Sequence, residues 1–262
     1  MPATTRAPLA SSRASVRRER EREIVQATRE LFDQRGLQDA PIEEIARAVG
    51  INKALIYRHF SSKEELYVLT LTSYLAELAE RMDDVPAEPD TPAGLDLPAE
   101  LDASAGLAPT TGTGMPASRD AVARLEAGWR CYTDFCLQYP AFVDCGLSLM
   151  RQPAAVLRES VSDSIWMRLG VGMAACLGRL SQILAQGACE GAFEIEDADF
   201  TANHLYTQTL GTMQLARIGI GVRASGAGGV PEMFEIDARR VQEACIADVL
   251  AAVGARRNGA TG

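Results

Sequence analysis

Apolar residues recur at three- and four-residue spacing along most of this chain, and no two-residue alternation of useful length interrupts them. That spacing predicts amphipathic helices packed on one another. Ile24, Ala27, Leu31 and Phe32 give a first helix over about 17–35, with Gly36 as its stop. Ile42, Ile45, Ala46 and Val49 form the stripe of a second over about 41–49, with Pro41 tolerated in the first turn. Gly50 permits a sharp turn, and Asn52 then caps a short helix reaching about residue 60. Ser62 and Glu65 make an S-x-x-E capping box that opens a fourth helix, whose stripe is Leu71, Tyr74, Leu75, Leu78 and Met82. Helical spacing resumes over about 119–139, 141–151, 160–189 and 197–217. A last helix is expected over 231–252, after a Gly-rich loop at 225–229. The expectation is an all-α protein.

One stretch breaks the pattern. Residues 84–118 hold six of the twelve prolines, four glycines and six acids, with no Lys or Arg. Such a segment has too little apolar surface to offset its ordering entropy, so a flexible insert is expected there. Flexible ends are expected as well: a basic arm over 1–16, carrying Arg6 and Arg13, and a tail over 253–262.

The overall charge of −9, with a pI near 4.9, argues at first against nucleic acid. Its distribution argues the other way. Residues 1–63 carry 12 Lys+Arg against 8 Asp+Glu, whereas 64–262 carry 14 against 27, so a basic head sits on an acidic body. The chain's only two lysines, Lys53 and Lys63, fall inside 41–66 together with Tyr57, Arg58 and His59. Helix, tight turn, short helix and capped third helix is the layout of a helix-turn-helix DNA reader. In the short helix, Ile56 and Phe60 lie on one side and can dock it, leaving Ala54, Leu55 and Arg58 opposite and Tyr57 at the flank. Ala54 and Leu55 lack donors, so they read bases only by contact with thymine methyls. Lys53 reaches guanine or phosphate, and Tyr57, Arg58, His59 and Lys63 suit phosphate oxygens.

Other chemistry is thinly represented. His59 and His204 are far apart in the chain, and neither H-E-x-x-H, paired E-x-x-H nor a nucleophile motif occurs, so no enzyme, metal site or cofactor is expected. The six cysteines form no C-x-x-C pair and read as small buried thiols of a reducing cytoplasm. Residues 1–20 lack the apolar core of a signal peptide, and the apolar run at 169–178 is far short of the roughly 20 residues a membrane span needs. The acidic run Glu194, Glu196, Asp197 and Asp199 reads as a solvated helix start.

Residues 22–66 resemble the DNA-binding domain of the tetracycline-repressor (TetR) family. The carriers are Leu31-Phe32 with Gly36, Ile45-Ala46, Val49-Gly50-Ile51, Lys53, Ile56-Tyr57, His59-Phe60 and Ser62-Lys63-Glu64. The resemblance implies a helix-turn-helix domain over 17–66, a connecting helix over 67–83, and a helical ligand-binding and dimerisation domain over 119–252. It implies that Lys53, Ala54, Leu55 and Tyr57 line the major groove, while His59, Lys63 and the start of the second helix near Ile42 hold the backbone. It also implies a homodimer on a near-palindromic double-stranded operator, usually a repressor released by a small ligand; a ligand-independent regulator or activator stays open. The last two long helices would pair across a two-fold axis, through Tyr206, Leu210, Met213, Val241, Cys245 and Val249. Tyr132, Phe135, Phe142, Met150, Trp166 and Met173 would line an effector pocket of apolar character, although each also fits ordinary core, and His204 suits either a ligand contact or an interface. Ala40-Pro41 departs from the usual hydroxyl opening of the second helix, and Ala54-Leu55 replace the usual Gly and Thr.

Overall fold

A computed structural model of the chain describes residues 8–36, 41–84, 116–151, 153–224 and 229–255. Among them are ten helices: α1 (Pro8–Arg35), α2 (Ile42–Val49), α3 (Lys53–His59), α4 (Lys63–Asp83), α5 (Pro116–Gln138), α6 (Pro140–Met150), α7 (Ala154–Ser160), α8 (Asp163–Cys189), α9 (Ala198–Ile218) and α10 (Ala238–Ala252). Two short strands, β1 (Ile220–Arg223) and β2 (Glu232–Glu235), pair antiparallel between α9 and α10, with Ile220 opposite Glu235 and Arg223 opposite Glu232.

Four boundaries differ from the reading of the sequence. α1 starts at Pro8, within the stretch expected to be a flexible arm. The helix expected over 160–189 starts only at Asp163, because Val161 is extended, and α7 before it is a helix the sequence reading lacks. The final helix starts at Ala238, where the Asp237 carboxylate accepts the Arg240 N–H at 2.8 Å; the residues before it belong to the hairpin. The hairpin left no readable pattern, since its strands have four residues each and bury almost nothing. Of the expected insert, 85–115 lies outside the described residues, as do residues 1–7 of the arm and 256–262 of the tail, whereas 116–118, expected flexible, open α5.

Two apolar clusters organise the chain. The larger is built from α4, α5, α6, α8, α9 and α10 around Tyr74, Trp129, Tyr132, Phe135 and Phe142, all fully buried. The smaller joins α1, α2, α3 and the first half of α4 through Ile24, Ile42, Ile45, Ile56, Phe60 and Leu66. Leu157, Val161 and Ile165, from α7 and the start of α8, complete it. The head is therefore not sealed by its own residues.

Polar groups fix how the helices meet. The Trp129 indole N–H donates to Thr209 Oγ1 at 2.9 Å, tying α5 to α9. Gln242, fully buried on α10, donates to Thr133 Oγ1 and Asp134 Oδ1 of α5 at 3.0 and 2.8 Å. Tyr74 O–H donates to Asp33 at 2.6 Å with the Arg29 guanidinium 4.1 Å above its ring, which holds α1 on α4. α8 approaches α4 closely at Gly172, where a Cβ would stand 3.3 Å from the Leu75 Cβ. At Gly187 the fit is tighter still: a Cβ would fall 2.1 Å from the Phe193 ring, which is itself buried.

Gly187→Ala should therefore destabilise the fold by about 1–3 kcal/mol, the usual effect of overpacking, although alanine is the better helix former by about 1 kcal/mol. Urea unfolding of the variant checks this, and an unchanged or raised midpoint would contradict the packing described.

Candidate nucleic-acid interface

α2 and α3 are set by their ends. Gly50 adopts the left-handed conformation at φ 70°, and the Ile51 N–H turns back to Ala46 O at 2.9 Å, which closes α2 and reverses the chain within one residue. Asn52 then caps α3 by accepting the Leu55 N–H at 2.8 Å. Ile56 and Phe60 are buried in the smaller cluster, so α3 is held by one side. Its other side presents Lys53, Ala54, Tyr57 and Arg58 to solvent, with Leu55 half-buried beside them. Tyr57 is 44% exposed, a large ring with little share in the core.

Lys53 is already engaged. Its Nζ lies 2.5 Å from Glu43 Oε1 on α2, a hydrogen bond that pushes the ammonium above its ordinary value and the carboxyl below its own. Both groups are fully solvated, so the pair contributes little to stability. It does decide what the lysine must exchange when an anion arrives.

The remaining expected contacts fall elsewhere. Ile42 is only 5% exposed and packs in the head, which leaves the backbone at the α2 N-terminus, not the side chain, to meet a phosphate. His59 is turned toward α1, its Nδ1 buried without a hydrogen-bond partner and 3.9 Å from Glu21 Oε1. Lys63 opens α4 and is exposed, its Nζ 4.9 Å over the Tyr67 ring. The geometry thus gathers Lys53, Ala54, Leu55, Tyr57 and Arg58 on one face and leaves Ile42 and His59 off it.

A junction that the sequence did not reveal lies behind this face. The Ser62–Glu65 capping box forms as its spacing predicts, with the Glu65 N–H donating to Ser62 Oγ at 3.0 Å. The Glu65 carboxylate reaches back to the Ser61 N–H at 2.6 Å, and its other oxygen accepts the Ser162 N–H at 2.9 Å, at the α8 N-terminus. Ser62 O–H in turn donates to Ser160 O at 2.8 Å, on the last residue of α7. Burial opposes ionisation of Glu65, but the hydrogen bonds from Ser162 and Ser61 outweigh it and hold the carboxyl below its ordinary value.

In the body, Tyr132, Phe135 and Phe142 do come together, edge to face at 5.2 to 6.4 Å between centroids, as filled core. Met150 is 44% exposed, Trp166 packs against the head cluster and Met173 lies at the margin of the larger one, so these three stand apart from the aromatic trio. A correction concerns the dimer contact. Tyr206, Leu210, Met213, Val241, Cys245 and Val249 are all buried inside the single chain, because α9 and α10 turn those stripes toward α5 and each other. Their outward faces carry Phe200, stacked on His204 with ring centroids 6.1 Å apart, then Gly211, Leu215 and Ile218 on α9, and Ala244, Ala247 and Ala251 on α10. Of the six cysteines, Cys189 is exposed and Cys131 half-buried, against the expectation of uniform burial. Among the described residues no group of side chains could hold a metal ion, and no helix is long and apolar enough to cross a membrane.

Residues 24–69 match the family model of bacterial regulatory proteins of the tetR family. The HTH-type transcriptional activator FasR of Mycolicibacterium smegmatis is 40% identical over 62 residues, which are 24% of this chain and 28% of FasR. This match therefore spans little more than a quarter of that relative. Over the whole chain the likeness is one of fold. RolR, in its crystal structure with resorcinol, aligns with a TM-score of 0.56 at 16% identity, covering 93% of this chain and 91% of RolR. A TetR transcription regulator from Haloarcula marismortui aligns at 0.54 and 18%, covering 91% and 98%. PfmR from Thermus thermophilus, a TetR-family regulator, aligns at 0.52 and 16%, covering 91% and 97%.

Glu65→Ala should lower stability by about 2–3 kcal/mol at neutral pH, because the Ser61 and Ser162 N–H groups lose their acceptor. Glu65 is held below its ordinary value of 4.5, so its contribution is fully present above that pH and is lost as pH falls through the depressed value. Thermal unfolding of both proteins from pH 7 downwards should show the gap closing in acid; a gap independent of pH would exclude the ionised clamp.

Proposed function

We propose that this chain, whose residues 24–69 match the tetR family of bacterial regulatory proteins, is a dimeric cytoplasmic regulator that binds a near-palindromic operator and releases it on binding a small ligand. The observation that carries the reading is the exposed α3 face of Lys53, Ala54, Leu55, Tyr57 and Arg58, docked from behind by Ile56 and Phe60. Lys53 and Arg58 supply cations to guanine or phosphate, Tyr57 a phosphate hydrogen bond, and Ala54-Leu55 an apolar surface for thymine methyls. Lys63 and the α2 N-terminus hold the flanking backbone. Two such faces in a dimer would sit roughly 34–36 Å apart, one DNA turn.

Dimerisation is assigned to the outward faces of α9 and α10, from Phe200 and His204 to Leu215 and Ile218, where exposed apolar and small residues adjoin. The effector reading rests on the match of residues 24–69 to the tetR family, and the aromatic trio, which is filled core, would have to part to admit a ligand. A second reading is activation instead of repression, and the observation in its favour is the likeness of the head to FasR, a transcriptional activator. Selection of bound sequences from a randomised pool, followed by transcription from the operator it returns, separates the two.

Tyr57→Ala and Arg58→Ala should each weaken operator binding by about 1–3 kcal/mol while leaving the subunit number unchanged. Wild-type affinity should fall steeply with salt as counterions are released. Full affinity in both variants would remove α3 as the reading helix.

Leu215→Asp combined with Ile218→Asp should give a folded monomer by sedimentation. Val249→Ala should instead lower the unfolding temperature, at about 0.5–3 kcal/mol for a lost pair of buried methyls, and leave the dimer intact. Dissociation by Val249→Ala alone would return the interface to the inner stripe.

A further inference from the structure

Head and body also meet in a polar cleft of about 430 Å³, distinct from the aromatic core. Four cations from four parts of the chain line it: Arg35 at the end of α1, Lys63 at the start of α4, Arg151 just past α6 and Arg217 on α9. The acids beside them are Asp144, whose Oδ2 lies 2.8 Å from Arg217 Nη2, and Glu44, which bonds Arg35 from outside the lining. Four cations against two carboxylates, in one concavity of a chain of net charge −9, is a local reversal of sign. Lys63, though exposed, has its Nζ 4.9 Å over the Tyr67 ring, which keeps its charge beside the cleft.

Two lining side chains also have unmet hydrogen bonds. Tyr67 Oη and Gln214 Oε1 are buried atoms without partners. A buried polar atom left unpaired is costly, so both atoms favour an occupant that supplies a partner. Water could serve each of them singly but brings no charge to the surrounding cations. An anionic group would take the arginines, the lysine and the Tyr67 O–H together, and a hydroxyl or amine next to it would donate to the Gln214 carbonyl. Gly36, at φ +83°, keeps the α1 terminus low over the site: a Cβ there would sit 3.4 Å from Arg217 Nη2.

We infer that this cleft is a binding site for a small organic anion, a phosphate or carboxylate carrying an adjacent hydroxyl or amino group. The site touches α1 and α4 on one side and α6 and α9 on the other, so its occupant draws the head onto the body by neutralising the charges that line the gap. The inference stands apart from the apolar effector site and does not require it.

The test uses the full chain at fixed ionic strength, with inorganic phosphate, glycerol 3-phosphate and lactate as probes and chloride as the reference. Saturable stabilisation against heat by glycerol 3-phosphate or lactate, beyond that of chloride, is expected. The phosphate and lactate arms tell which anion the cleft prefers. Arg217→Gln and Arg151→Gln should each weaken binding about tenfold, the second at an exposed position that leaves the Asp144–Arg217 pair in place. Gln214→Leu should abolish the advantage of glycerol 3-phosphate over inorganic phosphate. The inference falls if no probe stabilises beyond chloride, or if both arginine variants bind as the wild type does. It also falls if Arg151→Gln lowers DNA affinity and its salt dependence without any probe present, for Arg151 would then serve DNA, as Lys63 is proposed to do, and not an anion in the cleft. Failure of the wild type to bind DNA at all would remove the regulatory reading and leave the anion site untouched.

Discussion

The Glu65 carboxylate is the interaction on which the arrangement of this molecule turns. It closes the turn between α3 and α4 through Ser61 and takes the N–H of Ser162, the residue that caps α8. One buried charge thereby serves as the end of the reading head and as the beginning of the longest helix of the body. A carboxylate in such surroundings is stable only while both donors are in place, since an uncompensated buried charge is far more costly than a missing neutral bond. The turn that aims α3 and the turn that starts α8 are thus held or released together.

The apolar packing points the same way. Leu157, Val161 and Ile165 belong to the body by sequence and to the head by contact, lying in one cluster with Ile42, Ile56 and Phe60. Any rearrangement that moves α7 or the start of α8 disturbs the floor on which α3 rests. The close approach of α8 to α4 at Gly172, with Cys176 Sγ donating to Leu75 O at 3.2 Å, continues this contact toward the centre of the body. Packing therefore runs unbroken from the centre of the body to the floor of α3, with no loop in between, and this is the path along which the proposed ligand response would travel.

How much of this was legible beforehand depended on range. The helices, their caps at Asn52 and Ser62, and the left-handed turn at Gly50 follow from local rules, and the sequence carries those rules within four or five residues. The docking of α3 by Ile56 and Phe60 could be read for the same reason. His59 was expected on the open face because its neighbours are there; that it turns to Glu21 of α1 depends on a contact almost forty positions away. The stripes on α9 and α10 were correctly found, but a stripe tells only that a face is covered, not whether its own chain or a second one covers it. The hairpin wrote no pattern because exposed strands have no buried side to mark. The second oxygen of Glu65 and the basic cleft lay beyond reach, since each joins residues nearly a hundred or more apart.

The Lys53–Glu43 pair bears on discrimination in a way its small energy conceals. A lysine that already holds a carboxylate gains from a phosphate only the difference between the two partners. Under the proposed function, on arbitrary DNA, where the helix would sit loosely and the ammonium would meet a hydrated backbone, that difference would be small, and the lysine would have little reason to leave α2. Only where the rest of α3 seats closely enough to offer a well-aligned acceptor does the exchange become favourable. Glu43 would then act as a threshold: it would lower the background of indifferent binding more than it lowers the best site, and the contrast between them would grow without any added contact to DNA.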